Sequence, residues 1–195
     1  MDFRLDSKHQ EFLKALRSFI KREVTPKLQA EMLLPQTRPW GGSWMAIGPE
    51  CKKFLRKLGT DGWLGVSWPK DRGGKGLPLI YQHLLISELS YHELPYGGHT
   101  VNTLGPIIAR VGTEEQRKKY LPPILRGETQ YSLGYTEPEA GSDLASIQTR
   151  AVRDGDEYVI NGVKLYCSAA HITDYIWLAA RTDPSAPKHK GISYF

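Results

Sequence analysis

The chain has 195 residues, of which 40% are hydrophobic and 24% are charged, and its formal net charge is +5. This length suits one large domain or two small ones with a buried core. The two cysteines, Cys51 and Cys167, lie far apart, so the sequence predicts neither a disulfide framework nor a metal site. The sequence has no run of eighteen apolar residues and no signal-like or transit-like opening, so we expect no membrane span and a cytoplasmic location.

The positive charge lies in three short clusters, at residues 52–57, 117–119 and 188–190. The first two clusters fall on predicted amphipathic helices, where solvated helix faces are the simplest interpretation. As an alternative, the basic clusters could attract a polyanionic ligand. Nucleic-acid binding is not predicted, because the charges are not concentrated on one face with groove-reading elements.

Helical periodicity dominates the first two thirds of the chain. Ser7 and Gln10 form a capping-box pattern that opens a helix, and Pro26 is expected to kink or end it. After a Pro/Gly/Trp-rich loop at 35–43, a second helix is expected to end at Gly59. The pattern thus predicts two helices in the first sixty residues.

Three more helices are predicted before residue 125. One begins near Pro78 and closes before Pro95, and another spans residues 100–111. Thr113 and Gln116 form a second capping box, and the helix that it opens is expected to be interrupted at residues 122–123, which are both proline. Residues 1–128 are therefore predicted to form an N-terminal α-helical bundle.

From residue 130 the period becomes strand-like. Apolar or alternating stretches occur at residues 131–135, 150–152, 158–160, 163–167, 175–181 and 192–195. The Asn161-Gly162 pair predicts a hairpin turn between two of these strands. The fold class is therefore α+β, with an antiparallel, barrel-like β-domain at residues 129–195. We expect that domain to be incomplete, because the last residues have the pattern of a strand interior.

The segment at residues 135–143 reads Tyr-Thr-Glu-Pro-Glu-Ala-Gly-Ser-Asp and directly follows a predicted strand. Gly141 would let the backbone approach a ligand closely, and the hydroxyls of Thr136 and Ser142 can donate to carbonyl, ring-nitrogen or phosphate acceptors. The alternative is a turn in which both hydroxyls cap backbone groups.

This segment resembles the flavin-binding signature of the acyl-CoA dehydrogenase family, in which Thr-Glu-Pro and a small residue precede Ala-Gly-Ser-Asp. Residues 156–168 resemble the second flavin segment of the same family. Residues 62–77 resemble its Gly-rich loop, and residues 112–128 the helix before its first strand. The likeness covers nearly the whole chain, and the two flavin motifs occur in order on predicted strands.

The resemblance implies an FAD site. The backbone of Leu133, Gly134, Tyr135 and Thr136 would run along the isoalloxazine edge, with the Thr136 hydroxyl near N1. Gly141 and Ser142 would approach the pyrophosphate, and Ser142 would also line the entry of the substrate thioester. The second segment would contribute Tyr166, Cys167 and Ser168, with the Tyr166 ring against the flavin and the Ser168 hydroxyl reaching N5.

Three positions depart from the family pattern. Leu133 stands where an aromatic or other apolar residue is frequent, Glu139 replaces a small residue, and residues 169–171 replace a common Asn-Gly-containing stretch. His171 falls in that last stretch. We interpret it as a surface or capping residue, because a lone histidine at a strand end carries no catalytic pattern.

The resemblance also implies a reaction, namely α,β-dehydrogenation of acyl-CoA thioesters in fatty-acid β-oxidation, with hydride transfer to flavin N5. An electron-transferring flavoprotein would be the acceptor, and a homo- or heterotetramer the assembly. The family's base is a glutamate of its C-terminal helical domain, which these 195 residues do not include. No catalytic residue is therefore assigned, and the 195 residues alone are expected to be inactive.

Other functions stay open. A non-catalytic partner subunit would keep the fold and lose a working flavin site. An acyl-CoA oxidase or a nitroalkane oxidase-like enzyme would share the platform and differ in how the flavin is reoxidised or fed. A generic helical binding module is a more distant alternative. The sequence does not predict the length or branching of the acyl chain.

Overall fold

The computed structural model describes residues 4–34, 45 and 47–195. Contacts between Cα atoms divide the chain into two compact units, one ending at Gln130 and one beginning at Tyr131. The loop predicted at residues 35–43 lies outside the described residues. No helix in the described part is long and apolar enough to cross a membrane.

The described part of the first unit contains six α-helices. They are α1 (Ser7–Glu23), α2 (Pro26–Met32), α3 (Pro49–Thr60), α4 (Leu79–Tyr91), α5 (Gly105–Val111) and α6 (Glu114–Leu125). A 3-10 turn at Lys70–Arg72 precedes α4, and a π-helical turn at Thr100–Leu104 leads into α5. The apolar stripes of these helices meet in one core, whose fully buried side chains include Leu16, Phe19, Phe54, Leu58, Leu85, Leu89, Leu104 and Ile124.

One of the two predicted capping boxes is confirmed and the other is wrong. At α6 the Gln116 amide donates to Thr113 Oγ1 at 3.2 Å, and the Thr113 amide donates to Gln116 Oε1 at 2.9 Å. At α1 the cap is Asp6, whose carboxylate accepts from the His9 amide at 2.9 Å. A cap must lie just outside the helix, and Ser7 already has helical geometry.

The sequence had suggested that the paired prolines interrupt α6, but they do not. The helix continues to Leu125 through Pro122 and Pro123, which lie in its last two turns. Pro122 and Pro123 still accept at their carbonyls, from the amides of Arg126 at 3.0 Å and Glu128 at 2.9 Å. Burial of Leu121 and Ile124 on the same helix outweighs the two lost amide donors.

The second unit is a five-stranded mixed sheet. Its strands are β1 (Tyr131–Gly134), β2 (Arg150–Asp154), β3 (Glu157–Asn161), β4 (Tyr175–Arg181) and β5 (Ile192–Tyr194). The sheet order is β1-β4-β2-β3, and β5 pairs with β4.

The β2-β3 and β4-β5 pairs are antiparallel, as expected. β1 and β4 are parallel, as are β2 and β4 at one residue pair, so the expectation of an all-antiparallel domain was wrong. A helical unit followed by a β unit confirms the α+β class.

The predicted Asn161-Gly162 hairpin is wrong. The hairpin joins β2 to β3 through Gly155 and Asp156, and Gly155 takes a left-handed φ of 61°. Residues 163–167 form no strand. Gly162 instead passes close to Thr149, because a Cβ at residue 162 would lie 2.2 Å from Thr149 Oγ1. The glycine at 162 therefore serves a close backbone approach and not a hairpin turn.

Candidate functional site

The structure joins two parts of the chain that the sequence had singled out. From here on, we name residues 133–143 the first segment. We name residues 162–168, the last part of the motif at 156–168, the second segment. The Leu165 amide donates to the Thr136 carbonyl at 2.8 Å. The hydroxyl of Ser132, the β1 residue just before the first segment, donates to the Ser168 carbonyl at 2.9 Å. Hydrogen bonds thus connect the backbone of Thr136 to the second segment. They also connect the backbone of Ser168 to β1, the strand that leads into the first segment.

β4 holds the start of the first segment in place. Leu133 and Gly134 pair with Trp177 and Leu178 in the parallel ladder. A Cβ at Gly134 would lie 2.8 Å from Ile176 Cγ2, so this glycine is required by packing within the sheet. The predicted positions 133 and 134 can therefore offer mainly backbone groups to a ligand.

The side chain of Tyr135 belongs to an aromatic cluster. Its ring centroid lies 5.7 Å from that of Tyr194, which stacks on Trp177 at 5.8 Å. Burial, with a smaller contribution from Tyr194, raises the pKa of Tyr135 to about 12. The phenol therefore stays neutral, and only the backbone of Tyr135 remains for a site.

The turn after Thr136 is short and open. Glu137 and Ala140 exchange two backbone hydrogen bonds, of 2.9 and 3.2 Å. A Cβ added at Gly141 would meet no heavy atom within 4 Å, and Gly141 does not take a positive φ. Neither packing nor conformation within the described chain demands glycine there, whereas close approach of a ligand would.

Three of the predicted donors have no partner in the described chain. The hydroxyls of Thr136, Ser142 and Ser168 make no hydrogen bond with any described residue, and Ser142 and Ser168 are exposed. This disfavours the alternative in which Thr136 and Ser142 only cap the turn. The hydroxyls remain available to an external acceptor.

Tyr166 takes an unusual conformation. Its φ is 55°, in the left-handed region, and 84% of the residue is exposed. A bulky residue rarely takes this conformation, which costs about 1 kcal/mol or more. Cys167 is half-buried beside it, and His171 is exposed on the turn that follows Ser168. The segment thus keeps a large aromatic ring in solvent at a conformational cost.

Sequence reasoning assigned no role to two residues that organise these segments. Glu137 and Lys164 form an ion pair of 2.8 Å, with side chains only 6% and 9% exposed. The Lys164 ammonium also donates to the Tyr135 carbonyl at 3.0 Å. The sequence signal that could have identified them is their position, because each is a charged residue inside one of the two flavin motifs.

Glu137 is charged although it is buried. Burial alone would raise its pKa, but hydrogen bonds from the Gln148 amide, the Lys164 ammonium and the Thr149 amide outweigh burial and lower the pKa to about 2. The amides of Gln148 and Thr149 donate at 2.5 and 2.9 Å. The carboxylate therefore joins the loop before β2 to both segments.

Comparison with known proteins identifies the chain's relatives. Residues 6–128 match the family model described as acyl-CoA dehydrogenase, N-terminal domain, and residues 132–195 match acyl-CoA dehydrogenase, middle domain. Acyl-CoA dehydrogenase FadE29 of Mycobacterium tuberculosis is 52% identical over 146 residues, which are 75% of this chain and 38% of that protein.

Two solved structures extend the comparison. The Tcur3481-Tcur3483 steroid ACAD matches with a TM-score of 0.82 and 48% identity, over 100% of this chain and 48% of the other. The ChsE4-ChsE5 complex from Mycobacterium tuberculosis matches with a TM-score of 0.86 and 36% identity, over 100% of this chain and 47% of the other. The 195 residues thus span less than half the length of these relatives. The chain belongs to the acyl-CoA dehydrogenase family and carries its N-terminal and middle domains.

Proposed function

We propose that the chain forms the first two domains, and much of the FAD site, of an enzyme that dehydrogenates acyl-CoA thioesters between Cα and Cβ. The observation that carries this proposal is the set of unpartnered hydroxyls on two segments that are tied together, next to an open glycine backbone. Members of this family use FAD, and the donor set fits it, because neutral hydroxyls and amides can bind ring nitrogens and phosphate oxygens.

We assign the roles residue by residue. The backbone of residues 133–136 and the Thr136 hydroxyl bind the edge of the flavin ring. Tyr166 packs its exposed ring on the flavin, and Ser168 donates to it from the second segment, with Cys167 between them. Gly141 and Ser142 serve the pyrophosphate, and Ser142 also lines the thioester entry. When bound, FAD supplies the hydride acceptor of the reaction.

No base is assigned within the described residues. Glu88, on α4, accepts from Arg17 Nε at 2.7 Å, and this partner lowers its pKa despite partial burial. It is therefore a structural ion-pair residue and a poor proton acceptor. The base is proposed to come from the part of the protein that the longer relatives have beyond this length.

The partners follow from the same proposal. They are an acyl-CoA substrate, an electron-transferring flavoprotein as acceptor and further subunits in an oligomer. Two structural relatives guide the first experiments. One is named a steroid ACAD, so steroid acyl-CoA thioesters should be tested first, and the other is titled as a complex of two proteins, so a hetero-oligomer is the assembly to test.

A non-catalytic partner subunit is the second candidate, and the two-protein title of that relative favours considering it. The two candidates differ in the cofactor. In a partner subunit without a working flavin site, the hydroxyls of Thr136, Ser142 and Ser168 would have no ligand to bind. The intact donor set favours the enzyme.

The test uses the full-length protein with any partner subunit that co-purifies. Thr136→Val and Ser168→Ala each remove one preorganised donor to the ring, so anaerobic flavin reduction by an acyl-CoA should slow about 100- to 1,000-fold, while the Kd for FAD changes less. Ser142→Ala should instead weaken cofactor retention or raise KM. Ser185→Ala, on an exposed loop of the same unit, is the control.

Two results would contradict the proposal. Unchanged reduction rates in both ring-side variants would mean that these hydroxyls do not face the flavin. A purified full-length protein that neither contains nor binds FAD would favour the partner-subunit candidate.

A further inference from the structure

A buried cluster of charge connects the two segments. Lys164 Nζ lies 2.8 Å from Glu137 Oε1 and 3.0 Å from the Tyr135 carbonyl oxygen. Glu137 Oε1 also accepts from the Thr149 amide, and Oε2 accepts from the Gln148 amide. We name this ion pair and its bonds the Glu137–Lys164 clamp.

The clamp differs from a second ion pair of its unit. Lys188 and Asp143 also pair, at 2.5 Å, but their side chains are 56% and 61% exposed. Exposed pairs contribute little to stability, and burying a pair incurs a large desolvation cost that apolar side chains would avoid. A buried pair is therefore better explained by the geometry that it imposes than by the stability that it adds.

That geometry centres on Thr136. Lys164 donates to the Tyr135 carbonyl, which shares a peptide unit with the Thr136 amide, and the neighbouring Leu165 amide donates to the Thr136 carbonyl. Both peptide units around Thr136 are thus fixed by consecutive residues of the second segment. The Thr136 amide itself makes no hydrogen bond with a described residue. A cation on the Tyr135 carbonyl also polarises that peptide and strengthens the amide as a donor.

We propose that the Glu137–Lys164 clamp sets the register between the two segments and thereby presents the amide and hydroxyl of Thr136 to the cofactor. Glu137 and Lys164 are positioning residues, which act through the backbone of residues 135–136 and do not themselves touch the ligand. The cofactor half of this inference rests on the proposed function, whereas the register half does not.

The test compares four variants of the full-length protein. Lys164→Met leaves a buried unpaired carboxylate, Glu137→Gln with Lys164→Met removes both charges, and Lys164→Arg keeps the cation. Lys188→Met removes the exposed pair of the same unit and is the matched control. The double variant keeps the inference testable if Lys164→Met does not fold, since removing both charges avoids an uncompensated one.

Two quantities are measured on each variant. Hydrogen exchange of the Leu165 amide should accelerate about tenfold or more in the double variant, because its bond to Thr136 is no longer held, while exchange of the β4 amide of Leu178 stays within about twofold. The Kd for FAD should rise at least about tenfold. Lys164→Arg should recover part of both effects, and Lys188→Met should show neither.

Each contrary outcome overturns a stated half of the inference. Unchanged Leu165 exchange, or equal acceleration at Leu165 and Leu178, would show that the clamp sets no register. Accelerated Leu165 exchange with an unchanged Kd for FAD would remove the positioning role. If the wild-type protein binds no FAD, the proposed function fails together with the cofactor half, and the exchange comparison still decides the register half.

Discussion

Glu137 shows at the scale of one residue how the chain keeps a charge inside the β unit. Its carboxylate receives hydrogen bonds from two backbone amides and one ammonium, which together hold its pKa at about 2 although burial opposes them. In the unfolded chain the same group has an ordinary pKa near 4.5. Folding is therefore coupled to the ionisation of this residue.

This coupling predicts an acid-sensitive stability. Because the folded pKa is depressed, the contribution of Glu137 is fully present above about pH 5 and is lost as the pH falls toward about 2, by about 3 kcal/mol in total. Urea unfolding measured across this range should show the loss in the wild type. The Glu137→Gln variant should be less stable at neutral pH and show a shallower decline. Parallel curves for the two proteins would contradict the lowered pKa of Glu137.

Tyr166 differs from Glu137, because its conformation makes no evident contribution to the stability of the fold. It takes a left-handed φ while its ring stays in solvent, and Ala169 takes a similar φ of 59° nearby. Glycine would adopt this geometry without the cost. A side chain kept at a strained and exposed position is typical of a binding site, which agrees with the role proposed for Tyr166.

Among the elements, α3 packs unusually closely on the turn that follows α6. A Cβ at Gly59 would lie 2.4 Å from the backbone carbon of Arg126, and one at Gly127 would lie 2.5 Å from the Leu55 carbonyl oxygen. The sequence had placed Gly59 as a helix stop, but α3 continues to Thr60 and the left-handed φ of 70° falls at Gly62. Gly59 is therefore a contact residue between two backbones.

Gly59→Ala should destabilise the chain, although alanine favours helix by about 1 kcal/mol over glycine. The added methyl group would force α3 away from the backbone of Arg126, which should lower the free energy of unfolding by about 2 kcal/mol. Thr60→Ala, at the next and exposed position of the same helix, is the control and should change little. A stabilised Gly59→Ala variant in urea unfolding would show that helix propensity dominates there.

On the scale of the whole molecule, the β unit exposes nine large apolar side chains. The exposed apolar residues are Val152, Tyr158, Val159, Ile160, Val163, Tyr166, Tyr175, Ile176 and Tyr194. Exposed apolar side chains favour association, and β3 is also an edge strand of the sheet, with unpaired backbone groups along one side. The chain matches less than half the length of the family relatives.

The 195-residue chain should therefore self-associate when it is prepared alone. Val152 and Val159 are paired across β2 and β3 and are 60% and 48% exposed. Replacing both with threonine keeps the strand propensity and removes apolar surface, so sedimentation velocity should show less association at equal concentration. Val111→Thr, at a 73% exposed site of the helical unit, is the control. A monodisperse wild-type monomer at high concentration would contradict the prediction.

The sequence by itself determined what depends on neighbours along the chain. Apolar spacing predicted the buried stripes of the helices, Thr113 and Gln116 predicted their capping box, and the residue order at 135–143 predicted a donor-rich strand end. These features arise within one or two turns of helix or within one strand, so local chemistry is sufficient. The family followed from motifs of the same local kind.

Only the tertiary structure decided what depends on residues far apart in the chain. The parallel pairing of β1 with β4, the close approach of Gly162 to Thr149 and the burial of Glu137 with Lys164 all join distant positions. An Asn-Gly pair looks like a hairpin turn from its neighbours alone, and a charged residue inside a motif looks solvent-exposed. Whether a strand pairs or a charge is buried depends on which distant surface covers it, because pairing and desolvation are set by packing and not by the local residue type.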